Sequence, residues 1–300
     1  MQLLSILFGI AVLAGAVWLV TRSADDLRAA VAGLGLEPVI VAGVLGLFGT
    51  ILICQVWFSL LRGLSVAAPW FEAAPVFFVS QLGKYVPGSV WPVVAQMEFG
   101  RRWNTPRRTM LTANILMLAV LAATGLITGA ALLPWSTDGG LGRYWWTLLF
   151  LPPLLLALHP RTIPAVLDWL FRLLGREPLN VRPSGRSMLV ATIWSFAVWL
   201  VMGLQLLTLV RALGMADIAA APAAVGGMGL AWAAGLIFIP APAGAGVRDA
   251  VIVAIFAPHI GTAPALAVAL ASRVLLLLAD VLLALAGAAA FPRRRRPYST

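Results

Sequence analysis

Residues 109–131 read TMLTANILMLAVLAATGLITGAA, and this stretch decides the fold. No ionisable side chain interrupts it. As an α-helix rising about 1.5 Å per residue it is long enough to cross a hydrocarbon core of roughly 30 Å. A helix is also what lipid demands, because it satisfies its backbone N–H and C=O groups internally. Gly125 and Gly129 stand four apart, the small-xxx-small spacing that lets two membrane helices approach closely. The whole chain has the same character. Of its 300 residues 61% are hydrophobic and 11% charged, whereas a soluble domain carries about 25% charged residues. So few charges cannot coat a globule of this size in water, and lipid must solvate much of the surface. The expected fold class is all-α, a polytopic helical membrane protein forming one integral domain over 1–300.

The charges that exist are placed between apolar runs. The formal net charge is +10. Arg101, Arg102, Arg107 and Arg108 sit in one such gap, and Arg293–Arg296 follow the last run. That placement marks cytoplasmic loops. With no RNP, zinc-finger or basic-helix signature beside it, it excludes nucleic acid as a partner. Cys54 is the only cysteine, so no intrachain disulfide forms. Lys84 is the only lysine in a chain rich in arginine and alanine, a bias of GC-rich bacterial genomes that suggests a bacterial plasma membrane.

Spans are read at 2–20 and 38–61, so that 1–61 holds the first two. No Lys or Arg precedes the first, which argues for a retained helix rather than a signal peptide. Between them a short interfacial helix is capped by Ser23, with Asp25 and Asp26 in its first turn. Residues 70–100 break the pattern: Gln81, Lys84, Pro87, Gly88, Ser89, Pro92, Gln96 and Glu98 interrupt two apolar halves. Each half is about 10–14 residues, too short for a crossing of roughly 20, and a re-entrant hairpin is expected. Two spans follow within 109–158, the second opening on Tyr144, Trp145 and Trp146 as an interfacial belt.

Residues 160–186 carry an apolar stripe of Ile163, Val166, Leu167, Leu170 and Leu174, with Asp168 and Arg172 at i,i+4. They are read as a cytoplasmic amphipathic connector, either lying on the membrane surface or packed on the bundle as a solvated link. Further spans are expected at 187–210, 218–239 and 263–290, with a broken helix at 240–257 and a basic cytoplasmic tail at 291–300. Placing the arginine-rich loops inside puts both termini in the cytoplasm. The count is then about eight crossings, 247–257 taken as one broken crossing and the 70–100 hairpin as none.

A charge at the centre of a membrane helix costs roughly 2.5–3.5 kcal/mol on insertion scales and usually serves a function. The candidates are Glu72, Lys84, Glu98, Arg248, Asp249, Arg273 and Asp280. Arg273 and Asp280 are seven residues apart and share a helix face. Arg248 and Asp249 open a helix after Pro240–Gly246, where free N–H groups can meet an anion such as a phosphate. Pro87-Gly88 and Pro240–Gly246 are two Pro/Gly-interrupted segments in separate halves, the pattern of paired broken helices, or inverted pseudo-repeats, around a midplane site. The candidate substrate-binding set is Lys84, Pro87, Gly88, Trp91, Gln96, Glu98, Gly244, Gly246, Arg248, Asp249, Arg273 and Asp280. Neither His159 nor His259 has acidic or cysteine partners at ligand spacing, so no metal site is expected. No Walker, dinucleotide or nucleophile-elbow motif is present, so no cofactor and no catalytic residue is assigned.

At Gln81-Leu82-Gly83-Lys84-Tyr85-Val86-Pro87-Gly88-Ser89-Val90-Trp91, and again from Ile239-Pro240 to Asp249, the chain resembles the transmembrane, flippase-like region of lysylphosphatidylglycerol synthases. Gly246, Val247 and Arg248 match that family's Gly-Val-Arg-Glu, with Asp249 in place of Glu. Pro87 and Gly88 match in the first block, while Ser89-Val90-Trp91 depart from its usual Gly/Asp/Arg pattern. The resemblance implies a membrane domain that binds lipid headgroups and moves lipids between leaflets, here without the soluble aminoacyl-transfer domain. The expected function is therefore a translocator of an anionic phospholipid or polyprenyl-phosphate-linked lipid. Lys84 and Arg248 would engage phosphate, Glu98 and Asp249 would balance them or hold a cationic headgroup, and Arg273 and Asp280 would tie the last helix to the cavity. The rivals are a membrane enzyme moving a sugar or aminoacyl group on a lipid carrier, and a non-catalytic partner of a separate lipid-modifying enzyme.

Overall fold

The computed structural model describes residues 32–85, 91–136, 145–159, 161–173, 175, 177, 182–237 and 246–290. Among them are ten α-helices: α1 (Leu36–Gly63), α2 (Trp70–Gln81), α3 (Trp91–Phe99), α4 (Arg107–Leu132), α5 (Leu151–Ala157), α6 (Thr162–Leu173), α7 (Gly185–Ala212), α8 (Ala220–Ile237), α9 (Val247–Ile260) and α10 (Thr262–Ala290). Four are long and apolar enough to cross a membrane: α1, α4 extended to Trp135, α7 and α10. Their outward faces are stripes of exposed apolar side chains, such as Leu189, Ile193, Phe196, Leu200 and Leu204 on α7. In water such a stripe would be costly; against acyl chains it is neutral. The largest buried side chains, Trp57, Trp199, Phe77 and Phe256, fill the interior.

Close approaches at glycine fix the helix register. α1 and α7 run antiparallel, with Gly63 against Ser187, Gly49 against Met202 and Gly46 against Gln205. The Ser184 backbone N–H donates to the Gly63 carbonyl at 3.2 Å and ties the two helix ends together. The Gly125/Gly129 spacing does bring a partner in: α8 crosses α4 so tightly that a β-carbon on Gly125 would lie 2.7 Å from the Gly229 carbonyl oxygen, and the reverse holds equally. Trp199 Nε1 donates to Thr124 Oγ1 at 2.8 Å beside this crossing. Because the obstacle is backbone, no side chain can move aside. Gly125→Val is expected to cost about 1–3 kcal/mol of overpacking, read as a lowered unfolding temperature in detergent. Gly43→Ala, whose β-carbon would meet Leu275 Cδ2 at an ordinary 3.6 Å, is expected to leave it unchanged.

The bundle has two unlike ends. Arg62, Arg101, Arg102, Arg107, Arg108, Arg182 and Arg186 gather where α1 ends and α4 and α7 begin. α2 enters from that end and lies antiparallel to the second half of α10, with Pro75 against Gly287 and Lys84 against Asp280. A 3₁₀ turn, Leu82–Tyr85, finishes the arm, and α3 returns. Gly83 permits this return: its β-carbon would lie 2.9 Å from the Pro92 backbone nitrogen. The described arms of 70–100, α2 with its 3₁₀ turn and α3, thus pack side by side.

The expected separate crossings at 218–239 and 247–257 are corrected by the structure. α8 and α9 pack as antiparallel arms, with Gly227 against Ile255. α9 ends one residue before α10 begins and lies along its first half. With 18 and 14 residues, they rise about 27 and 21 Å and return to the end they came from. Among the described residues α2 with α3 and α8 with α9 are thus two pairs of shorter helices approaching α10 from opposite ends of the bundle, beside four long apolar helices. Periodicity cannot distinguish an apolar arm that turns back from one that crosses, since both are buried all round. The expected crossing from Tyr144 is, in its described part, a 3₁₀ stretch Trp145–Phe150 running into α5. Its apolar portion, Thr147–Leu156, is shorter than a full span. In the connector Thr162–Leu173 is helical and α7 already begins at Gly185, and the single stripe expected there divides. Ile163 and Asp168 turn inward, while Val166, Trp169 and Leu173 are exposed. The expected elements at 2–20, Ser23 and 291–300, and the turns at Pro87-Gly88 and Pro240–Ala245 including Gly244, lie outside the described residues.

Candidate functional site: a charge cluster on the last helix

Both hairpins end on the same face of α10. Ser272, Arg273 and Asp280 lie within eight residues of one another, about 12 Å of helix, near the middle of a 29-residue span. From the arginine-rich end, Lys84 Nζ reaches Asp280 Oδ2 at 2.7 Å, and the Tyr85 hydroxyl donates to the same oxygen at 2.5 Å. Asp280 is 2% exposed on its side chain and Lys84 32%.

The opposite hairpin delivers the start of α9. Gly246 takes a positive φ of 82°, which a residue without a β-carbon adopts freely, and its N–H donates to Asp249 Oδ2 at 3.1 Å. The same Oδ2 accepts from Arg273 Nη1 at 2.5 Å. Asp249 thus closes the first turn of its helix and holds α9 to α10. Arg248, next to it, takes a different partner: Nη2 donates to Ser272 Oγ at 3.0 Å, and Ser272 donates onward to Gln205 Oε1 of α7 at 3.2 Å. Arg248 is electrostatically coupled to Asp249, Arg273, Asp280 and Tyr85, so the two hairpin tips share one field.

The accounting of charge and hydrogen bonds is uneven. Lys84, Arg248 and Arg273 face two carboxylates, Asp249 and Asp280. Among the described residues Arg248 has no carboxylate at ion-pair distance. Its Nε is closed off from solvent without a partner, as are Asp249 Oδ1, Asp280 Oδ1 and Gln205 Nε2. Buried polar atoms are almost always paired, and a group of orphans in one place marks a site for water or a ligand. An excess guanidinium with a free N–H suits an oxyanion, above all a phosphate, which it can bind through two bonds.

The structure thus brings together Lys84, Gly246, Arg248, Asp249, Arg273 and Asp280 of the expected set. Gln96 is fully buried but serves the hairpin itself, donating to Ser80 Oγ at 2.7 Å. Trp91 is half exposed at the start of α3, against Gly83. Glu98 does not join the cluster as a balancing charge. Its side chain is 57% exposed at the arginine-rich end, where it accepts from Arg101 Nη1 at 2.7 Å and Arg107 Nη2 at 2.9 Å. It also lines an open pocket of about 440 Å³ with Ala95, Phe99, Arg101 and Arg102. Glu72 likewise leaves the list, accepting from Trp103 Nε1 at 2.9 Å. Tyr85, Ser272 and Gln205 join the site from outside the expected set. Their signal was a polar group inside an apolar segment, which uncharged side chains give only weakly.

The hydrogen bonds from Arg101 and Arg107 hold the Glu98 carboxyl below its ordinary value. A lowered carboxylate keeps its clamp through neutral pH and loses it only as pH falls through that lowered value. The protection of amides 98–107, with exchange corrected for its intrinsic pH dependence, is therefore expected to stay constant from neutral pH down to the ordinary carboxylate range and to fall below it. Glu98→Gln is expected to lower that protection at neutral pH and to match the wild type once its carboxyl is protonated.

The model of the lysylphosphatidylglycerol synthase TM region matches residues 6–284. No curated protein and no solved structure matches the chain. With nearly the whole chain matched, apolar spans across the bundle and the two motif segments converging on α10, the chain belongs to the lysylphosphatidylglycerol synthase transmembrane-region family.

Proposed function

We propose that this membrane protein binds the phosphate of a lipid at the α10 cluster and carries the headgroup between leaflets. The observation that carries the reading is Arg248: a guanidinium at the tip of a half-depth hairpin, without a carboxylate partner among the described residues, in a cluster of three cations and two anions. Holding such a charge in oil is costly unless a counter-ion arrives. A lipid phosphate supplies one, and the positive end of the α9 dipole lies beside Arg248. Two hairpins entering from opposite ends let the cluster be reached from either leaflet as one or the other shifts, the logic of inverted broken helices in transporters. The arginine-rich end faces the cytoplasm in this reading. There α6 lies at the interface, with Val166, Trp169 and Leu173 in lipid and Arg161 and Arg172 toward headgroups.

The test is reconstitution into vesicles containing fluorescent phosphatidylglycerol or a fluorescent polyprenyl phosphate, with dithionite quenching to count outer-leaflet label. Faster loss of the protected inner pool than in empty vesicles is expected for at least one of the two. No acceleration for either would sink the reading.

A further inference from the structure

We infer that the α10 cluster selects a monoanionic phosphodiester lipid whose headgroup carries hydroxyls, and discriminates against phosphomonoester and zwitterionic lipids. The inference deepens the phosphate reading above and rests on it. Lys84 is paired with Asp280 and Arg273 with Asp249, so each of these four groups has its counter-ion within the protein. Arg248 is left over, and its described hydrogen bond goes to the neutral Ser272. The helices packed on α10 keep their other charges at their ends: Glu37 and Arg62 on α1, Glu72 on α2, Arg186 and Arg211 on α7. His259 stands in the last turn of α9, away from Arg248 and Asp249 in its first. The segments 86–90 and 238–245, which join the two helix pairs, contain no ionisable residue. The cluster therefore holds a surplus of one positive charge, and one negative charge neutralises it.

A phosphodiester carries one negative charge. A phosphomonoester carries about 1.5–2 near neutral pH, because its second pKa is about 6. The diester leaves the occupied cluster without net charge. The monoester brings a second charge that no cation is left to meet, since Lys84 and Arg273 are held by their own carboxylates. Uncompensated charge is costly in a low-dielectric interior. Keeping the second proton removes that charge, but at pH 8, two units above the pKa, it weakens monoester binding by about 100-fold. The orphaned atoms sort the headgroup further. Arg248 Nε and Gln205 Nε2 are donors without acceptors, as many as the non-bridging oxygens of a diester. Asp249 Oδ1 and Asp280 Oδ1 are buried acceptors without donors among the described residues. Hydroxyls of a glycerol or sugar headgroup supply such donors and leave the charge balance alone. An ammonium also supplies them, but it cancels the charge of its own phosphate and returns the surplus. Phosphatidylglycerol and polyprenyl phosphosugars share the favoured chemistry; phosphatidic acid, bare polyprenyl phosphate and phosphatidylethanolamine do not.

The experiment is titration of the full chain in detergent at pH 8 with two matched pairs of lipids, binding being read by tryptophan fluorescence. One pair is short-chain phosphatidylglycerol and phosphatidic acid; the other is short-chain polyprenyl phosphoglucose and polyprenyl phosphate. In at least one pair the diester is expected to bind tighter than the monoester by about 10-fold or more, and that pair identifies the lipid source. Short-chain phosphatidylethanolamine is expected to bind as weakly as the monoesters. Asp280→Asn takes away one anion, leaves Lys84 without its counter-ion and raises the surplus to two charges. In that variant the monoester is expected to gain on the diester by about 10-fold. Asp249→Asn sets the same surplus through Arg273 and serves where Asp280→Asn does not fold. A monoester or phosphatidylethanolamine that binds the wild type as tightly as the diesters, or a preference unchanged in the variants, overturns the charge rule and leaves the phosphate reading standing. No binding of any of these lipids overturns both.

Discussion

Arg248→Ala is expected to slow lipid movement in reconstituted vesicles by about 10- to 100-fold, the range that corresponds to losing one charge-assisted bond of roughly 1.5–3 kcal/mol. The protein should still fold. Removing Arg248 takes a desolvated cation out of the interior, and Ser272 keeps its bond to Gln205. Unfolding temperature should therefore stay near the wild-type value while flip collapses. Arg248→Lys is expected to recover only part of the rate. An ammonium keeps the charge, yet it cannot hold Ser272 through one nitrogen and a phosphate oxygen through another as a planar guanidinium does. Ser272→Ala should fall between, since it frees the guanidinium without deleting it. Dithionite quenching of fluorescent phosphatidylglycerol measures all three. An Arg248→Ala protein with wild-type flip would remove Arg248 from the substrate site.

The second large effect is on stability. Arg273→Ala leaves Asp249, 12% exposed on its side chain, as a buried anion whose one remaining described hydrogen-bond donor is the Gly246 N–H. Breaking a buried pair from one side costs about 3–5 kcal/mol, whereas replacing both members by apolar side chains of similar size is often neutral. The double variant Arg273→Leu/Asp249→Leu is accordingly expected to unfold at a higher temperature than Arg273→Ala. It should not regain the full wild-type value, because it also loses the carboxylate that closes the first turn of α9, a cap worth about 1 kcal/mol. Thermal unfolding in one detergent gives the comparison. Strict additivity of the two single substitutions would mean that the Arg273–Asp249 contact contributes nothing.

The contrast between these two arginines shows why part of the site is legible in the sequence and part is not. Both stand out in the sequence for the same reason, a charge where lipid tolerates none, and both do lie in the cluster. Their partners do not follow from spacing. Arg273 and Asp280, seven apart on one face, suggest a unit, but each reaches to a different hairpin: Arg273 to Asp249 of α9, Asp280 to Lys84 of the α2–α3 tip. Glu98 looked equally costly within its apolar run. It proves to be the last turn of a short arm that has already returned to the arginine-rich surface. Chain position alone does not give depth when a helix turns back.

Composition and hydropathy determined by themselves that the chain is helical and membrane-embedded, because lipid leaves the backbone no alternative, and that charges sunk in it must converge. Tertiary structure decided which segments cross and which turn back, since an apolar arm is buried in either case. It also decided which cation is left without an anion. That depends on which helices the close glycine contacts allow to meet, Gly125 with Gly229 and Gly46 with Gln205; the Gly125/Gly129 spacing signals a close approach, but nothing local names the partner so far along the chain.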